Sequence, residues 1–249
     1  MARSLAPGAG SVDPADHPSI AFDDGSWKWF CERIQALGLP PAEEFRQQFE
    51  MIYGHLQGVN TWLNLTRVDG DQNYLLRHVL DSLMLFRCPW FRDADALACC
   101  DLGSGGGYPG LPLALLEPAH RWLLVDSRQR KVRFLQAAGA LIDAQRVTSR
   151  AFRGSEVAKW APDEMMRYDV VTTRATGSVL TIAGEAQPLL RLGGRLVVWQ
   201  GPSFDAEAEQ NLRAELPHSA WTNLTVDRYT LVEDDPMRCL ITLTLQRGR

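Results

Sequence analysis

The stretch Asp101-Leu102-Gly103-Ser104-Gly105-Gly106-Gly107-Tyr108-Pro109-Gly110 lies between the apolar runs Leu97-Ala98-Cys99-Cys100 and Leu111-Pro112-Leu113-Ala114-Leu115-Leu116. Its order reads as strand, glycine turn and helix. Glycines at such a junction permit positive φ and leave the backbone bare, while the start of the next helix offers unpaired N–H groups and a partial positive charge. A nucleotide-like ligand is the expectation.

Downstream, short apolar runs alternate with amphipathic segments. Strands are predicted at 96–102, 121–126, 146–149, 168–173 and 194–200, each followed by a helix, which is the pattern of a parallel sheet with crossover helices on both faces. Pro118 ends the first of these helices, and Gly193-Gly194 is expected to end the helix before the fifth strand. After a helix over 205–215, strands over 222–231 and 239–245 flank the acidic turn Glu233-Asp234-Asp235-Pro236 and suggest an antiparallel edge. The expectation is a mostly parallel, seven-stranded Rossmann-like α/β sheet. Upstream, helical spacing at 27–37, 42–58 and 72–86 makes the N-terminal part mainly helical. The predicted division is a disordered leader over 1–22, a helical segment over 23–92 and an α/β domain over 93–249.

Composition bounds the rest. The 249 residues are 45% hydrophobic and 22% charged, the profile of a soluble globular chain long enough for a core without staples. No apolar run approaches the ~20 residues of a membrane span, and the Gly, Pro and Ala-rich start lacks the apolar centre of a secretory signal. A cytoplasmic protein is expected. Cys31, Cys88, Cys99, Cys100 and Cys239 contain no C-x-x-C pair, and the five histidines lack zinc-like spacing, so reduced thiols and no metal are expected. The net charge of −4 argues against nonspecific coating of nucleic acid but permits a local basic face. The eight tryptophans fall in helix and strand patterns and read as core.

Two registers compete in the glycine turn. The dinucleotide pattern G-x-G-x-x-G fits Gly105, Gly107 and Gly110 but encloses Pro109. The other register sets Asp101 at the strand end, followed by Gly103, Gly105 and Gly107, and suits a ligand carrying an ammonium as well as a carboxylate. Asp126, at the end of the second strand, is placed to accept the two hydroxyls of a ribose, which serves either ligand class. An NAD-dependent oxidoreductase or an adenosine-nucleotide sensor therefore stays open on spacing, although no Tyr-x-x-x-Lys pair accompanies it.

Longer strings carry a resemblance. Asn64-Leu65-Thr66, Arg77-His78-Val79-Leu80-Asp81-Ser82, the glycine turn through Leu113, Val125-Asp126-Ser127 with the helix to Leu135, and Tyr168-Asp169-Val170-Val171-Thr172-Thr173-Arg174-Ala175 match in order and spacing. The chain resembles, from about Ala42 onward, the RsmG (GidB) family of bacterial small-subunit ribosomal RNA methyltransferases. The resemblance implies a class I methyltransferase fold and transfer of a methyl group from S-adenosylmethionine to N7 of a guanosine in the 530 loop of 16S rRNA. The implied partner is 16S rRNA or the small ribosomal subunit, and a monomer is expected. Carried over by position, cofactor contacts fall on Gly103, Tyr108, Ala151, Phe152 and Arg174, joined by Asp101, Ser104, Gly105, Gly107, Asp126 and Ser127 around the turn and second strand.

Guanine N7 has a lone pair and no proton to lose, so no general base is required. Asn64, Arg77, His78 and Asp81 are candidates for orienting the base or supporting the cofactor turn. Each has a plainer reading. Asp81 stands one helical turn from His78 and could fix it, Asn64 and Thr66 could form a turn before Asp69-Gly70, and Arg174 could pair with Asp101 or Asp126. Arg128, Arg130, Lys131 and Arg133, with Arg146, Arg150 and Arg153, supply charge for RNA phosphate or a solvated face. The family usually has tryptophan where this chain has Val59 and lysine where it has Gln200, which leaves room for a methyltransferase redirected to another RNA or a small molecule.

Overall fold

The computed structural model describes residues 10–68, 70–174 and 177–246. Seven strands, β1 (Ala98–Leu102), β2 (Arg121–Asp126), β3 (Val147–Ala151), β4 (Tyr168–Thr173), β5 (Leu190–Gln200), β6 (Trp221–Tyr229) and β7 (Arg238–Leu245), form one sheet in the order 3-2-1-4-5-7-6. The first five run parallel, and β7 is antiparallel to both β5 and β6. This is the expected architecture. The inner strands read as near-continuous apolar runs because they are covered on both faces: Cys99 and Trp122 belong to one packed cluster, Cys100 and Leu123 to the other.

Helices α6 (Gly110–Leu116), α7 (Gln129–Asp143), α8 (Val157–Trp160), α9 (Val179–Ala186) and α10 (Ala206–Glu215) follow β1 to β5 in turn. Gly193 and Gly194 correct the sequence reading. The helix stops at Ala186, and the glycine pair lies within β5, where Gly193 takes φ +80° and the chain shifts register against β4.

The N-terminal helices α1 (Asp24–Ala36) and α2 (Arg46–Leu63) lead into a broken run made of α3 (Asp71–Tyr74), a π turn (Leu75–Leu80), α4 (Asp81–Leu83), a 3₁₀ turn (Met84–Arg87) and α5 (Pro89–Arg92). These elements share one packed cluster with α6, α7 and the sheet face they cover, through Phe49, Leu56, Leu111 and Phe134 among others. The part of the expected disordered leader that is described, 10–22, is instead laid down against α2. His17 is buried, its Nε2 bonded to the Ser11 carbonyl at 3.0 Å, and His55 Nε2 meets the Val12 carbonyl at 2.9 Å. The strap fits because Gly54 and Gly58 leave it room: a β-carbon on Gly54 would stand 2.2 Å from the Pro18 oxygen. Residues 1–9 lie outside the described residues. No described helix is long and apolar enough to cross a membrane.

Candidate cofactor cleft and adjoining helical corner

The turn after β1 is drawn inward by its own polar groups. Gly103, Gly105 and Gly107 take φ of +78°, +57° and +96°, which confirms the need for glycine at those three positions. The N–H groups of Gly103 and Ser104 both donate to the Val125 carbonyl at 2.8 Å. Asp101, expected to meet a ligand ammonium, is fully buried: Oδ2 accepts from the Gly110 N–H at 3.0 Å and Oδ1 from the Thr172 hydroxyl at 3.1 Å. Desolvation outweighs these hydrogen bonds and pushes its carboxyl up to about 6. The start of α6 thus donates to Asp101. Gly110 is required by that approach, since a β-carbon there would lie 2.9 Å from Asp101 Oδ2.

A cleft of about 160 Å³ opens at the carboxyl ends of β1, β2 and β4 and beside the segment after β3. Gly103, Asp126, Ser127 and Phe152 from the sequence-predicted set line it, together with Thr173 and Ile182. Ligands of open α/β sheets bind at this end of the strands. Asp126 is half-buried, and its Oδ1 accepts from the Arg128 N–H at 2.8 Å, an Asx turn that fixes the carboxylate at the cleft wall. Ala151 faces the neighbouring depression. Arg153 and Glu185 also line the cleft, and neither was singled out for it in the sequence. Glu185 is brought in because Gly154 packs on the backbone of α9, which no local pattern announces.

The remaining candidates gather at a second place, where the broken helical run meets the turn and the end of β4. The His78 ring stacks on Tyr108 with centroids 4.3 Å apart and planes 10° from parallel. Its Nε2 shares a 2.7 Å hydrogen bond with the Thr66 hydroxyl, and the Tyr108 hydroxyl donates to that of Tyr74 at 3.1 Å. Burial, reinforced by the Arg174 charge, lowers His78 to about 3, so the imidazole is neutral at ordinary pH. Burial likewise raises the Tyr108 phenol well above its usual range.

Asp81 does not fix His78. The π turn shifts the helical register between them, and Asp81 accepts instead from the Tyr229 hydroxyl at 2.8 Å, with Arg238 and Arg174 at 3.4 and 3.5 Å. Arg174 pairs with neither Asp101 nor Asp126 and does not line the cleft. Its guanidinium reaches the Arg77 and His78 carbonyls at 3.1 and 3.4 Å. Arg77 is held by Asp235 at 2.6 Å, which ties the helical run to the acidic turn between β6 and β7. Asn64 ends α2 in the left-handed conformation, φ 53° and ψ 60°.

Asn60 is the organising residue that the sequence reading passed over. Its Oδ1 accepts from the N–H groups of Leu65 and Thr66 at 2.7 and 2.9 Å, and its amide donates to the Thr66 carbonyl at 3.0 Å. That folds the Asn64–Thr66 segment against the glycine turn, where the Leu65 carbonyl stands 3.5 Å from the position of a β-carbon on Gly106. An asparagine three residues before the end of a helix gives no signal of this by spacing alone.

Residues 46–228 match the family model GidB, described as rRNA small subunit methyltransferase G. Proteins named ribosomal RNA small subunit methyltransferase G include one from Synechococcus elongatus, 35% identical over 76% of this chain and 75% of its own length. Another, from Deinococcus radiodurans, is 33% identical over 85% and 81%. Among solved structures, a carbon methyltransferase, CurJ, aligns with TM-score 0.55 at 13% identity over 90% of this chain and 68% of that one. A predicted O-methyltransferase from Agrobacterium tumefaciens gives 0.52 at 19% over 67% and 79%. These two likenesses establish the fold as that of class I methyltransferases. With seven strands in that topology, a cleft at their carboxyl ends and a family match over most of its length, the chain belongs to the GidB family of S-adenosylmethionine-dependent rRNA small subunit methyltransferases.

Proposed function

We propose that this enzyme methylates N7 of a guanosine in the 530 loop of 16S rRNA, with S-adenosylmethionine as methyl donor in the cleft at the ends of β1, β2 and β4. The observation that carries the reading is Asp126: a fixed, half-buried carboxylate on the cleft wall, suited to two vicinal ribose hydroxyls, beside the bare backbone of Gly103. Phe152 and Ile182 supply apolar walls for a purine ring. The donor brings a methyl group on a sulfonium. Asp101, Ser104, Gly105, Gly107 and Tyr108 act indirectly, by setting the shape of the turn.

The nucleophile is the N7 lone pair, so the new N–C bond forms as the C–S bond breaks, without proton removal. Product guanosine carries the positive charge and the donor leaves as a neutral thioether. Catalysis then consists of alignment and exclusion of water. The corner of Asn64, Arg77, His78, Asp81 and Arg174 adjoins the turn, and we assign it to positioning. The neutral His78, stacked on Tyr108, holds the aromatic ring of the turn in place within that corner.

The test is transfer of labelled methyl to small ribosomal subunits and to naked 16S rRNA that lack the modification. Borohydride and aniline cleavage then maps 7-methylguanosine. The expected result is a single cut in the 530 loop. Methyl recovered on another atom or outside that loop would overturn the proposal.

A further inference from the structure

A second depression, of about 390 Å³, adjoins the cofactor cleft and shares Ser127, Phe152 and Arg153 with it. Arg128, Glu156 and Trp160 complete much of its lining, and the reaction as described makes no use of these three. Of the eight tryptophans, Trp160 alone is exposed, at 58%. That departs from the core role its type suggests.

The exposure is built into the segment between β3 and β4. Val157 and Ala161 on either side of the ring-bearing turn are 1% and 0% exposed, and Gly154 is pressed against the Glu185 backbone. The anchored frame therefore holds the indole outward. Lys159 Nζ stands 4.5 Å over the ring. Arg128, Arg153 and Lys159 have no ion-pair partner among the described residues, whereas nearby Arg150 is engaged by Asp163 and Glu164 at 2.7 and 2.8 Å. Glu156 is the one acid in the lining.

An exposed indole, with Lys159 over its ring and two further cations that lack a carboxylate partner among the described residues, matches a ligand with a π face and flanking negative charge. We infer that this depression is a docking platform for an unpaired nucleotide of the rRNA substrate, other than the one methylated. The base stacks on Trp160, and Lys159, Arg128 and Arg153 meet its flanking phosphates. The inference rests on the reading of the enzyme as an rRNA methyltransferase and adds where the RNA is gripped.

The experiment compares wild type, Trp160→Ala, Trp160→Phe and Lys159→Ala in the full chain. S-adenosylmethionine affinity is read by calorimetry, and the KM for small subunits and for naked 16S rRNA by methyl transfer. Trp160→Ala is expected to raise the KM of the preferred RNA substrate about tenfold, with unchanged donor affinity. Trp160→Phe should stay within about threefold, since a smaller ring still stacks. Lys159→Ala should weaken RNA binding less, and less still at high salt. An unchanged KM in Trp160→Ala overturns the platform. So does a loss of donor affinity, which would make the indole a wall of the cofactor site. Should wild type modify a different atom or RNA, the proposed function fails by itself, and the KM of Trp160→Ala for that RNA still decides the platform.

Discussion

Asp101 and His78 are buried titratable groups on either side of the glycine turn, and their shifts oppose one another. The carboxyl moves from 3.8 to about 6 and the imidazole from 6.5 to about 3. A carboxyl raised in the folded state favours folding while protonated, so that stability is present below its unfolded value and is lost as pH rises through the folded one. An imidazole lowered in the folded state favours folding while neutral, so its contribution is present above its unfolded value and fades as pH falls. Between about pH 4 and about pH 6 the two slopes partly cancel. Asp101→Asn removes the falling one. Its stability, measured by urea unfolding, should climb with pH in that window more steeply than wild type, by up to about 1 kcal/mol per pH unit. Equal slopes would show that Asp101 titrates normally. An acid at the end of a strand was legible in the sequence; its inward turn was not, because it depends on Thr172 of a neighbouring strand and Gly110 beyond the loop.

At the scale of elements, the parallel strands and their crossover helices were readable because burial on both faces leaves short apolar runs, while helices keep one polar side. What escaped were departures from period. The π turn over Leu75–Leu80 breaks the spacing that linked His78 to Asp81, and the glycine pair in β5 imitates a helix stop. The strap escaped for another reason. The Gly, Pro and Ala content of the chain's start resembles a disordered leader, but the strap's anchorage lies on α2, at glycines more than thirty residues downstream. That anchorage is testable. In Gly54→Ala the new β-carbon would meet backbone at 2.2 and 2.9 Å, and no side-chain rotation relieves it. The strap must lift. Expected is a loss of about 1–3 kcal/mol, seen as a Tm lower by several degrees, with earlier proteolytic cleavage between residues 10 and 22. A Tm equal to wild type would mean that the strap contributes nothing to stability.

Over the whole molecule the charge is −4, yet the chain must hold a polyanion. The resolution lies in which arginines are already engaged. Arg46, Arg146, Arg150, Arg191 and Arg228 are drawn into ion pairs with neighbouring carboxylates. By contrast Arg130, Lys131 and Arg133, at the start of α7, have no ion-pair partner among the described residues, and the Lys131 ammonium lies 3.8 Å from the position of a β-carbon on Gly105. The sequence showed the run of cations but not which members were free, since that depends on acids brought in by other elements. Unpaired cations beside the turn are the ones able to release counterions from RNA. Each phosphate contact lowers log K by about 0.7–0.9 per decade of salt. Replacing Arg130, Lys131 and Arg133 together with glutamine should therefore make the salt slope of rRNA binding shallower by about 2, while calorimetric affinity for S-adenosylmethionine stays within about twofold because the cleft wall at Asp126 is untouched. A slope equal to wild type would remove this face from the RNA interface and leave the cations around Trp160 as the remaining candidate for phosphate.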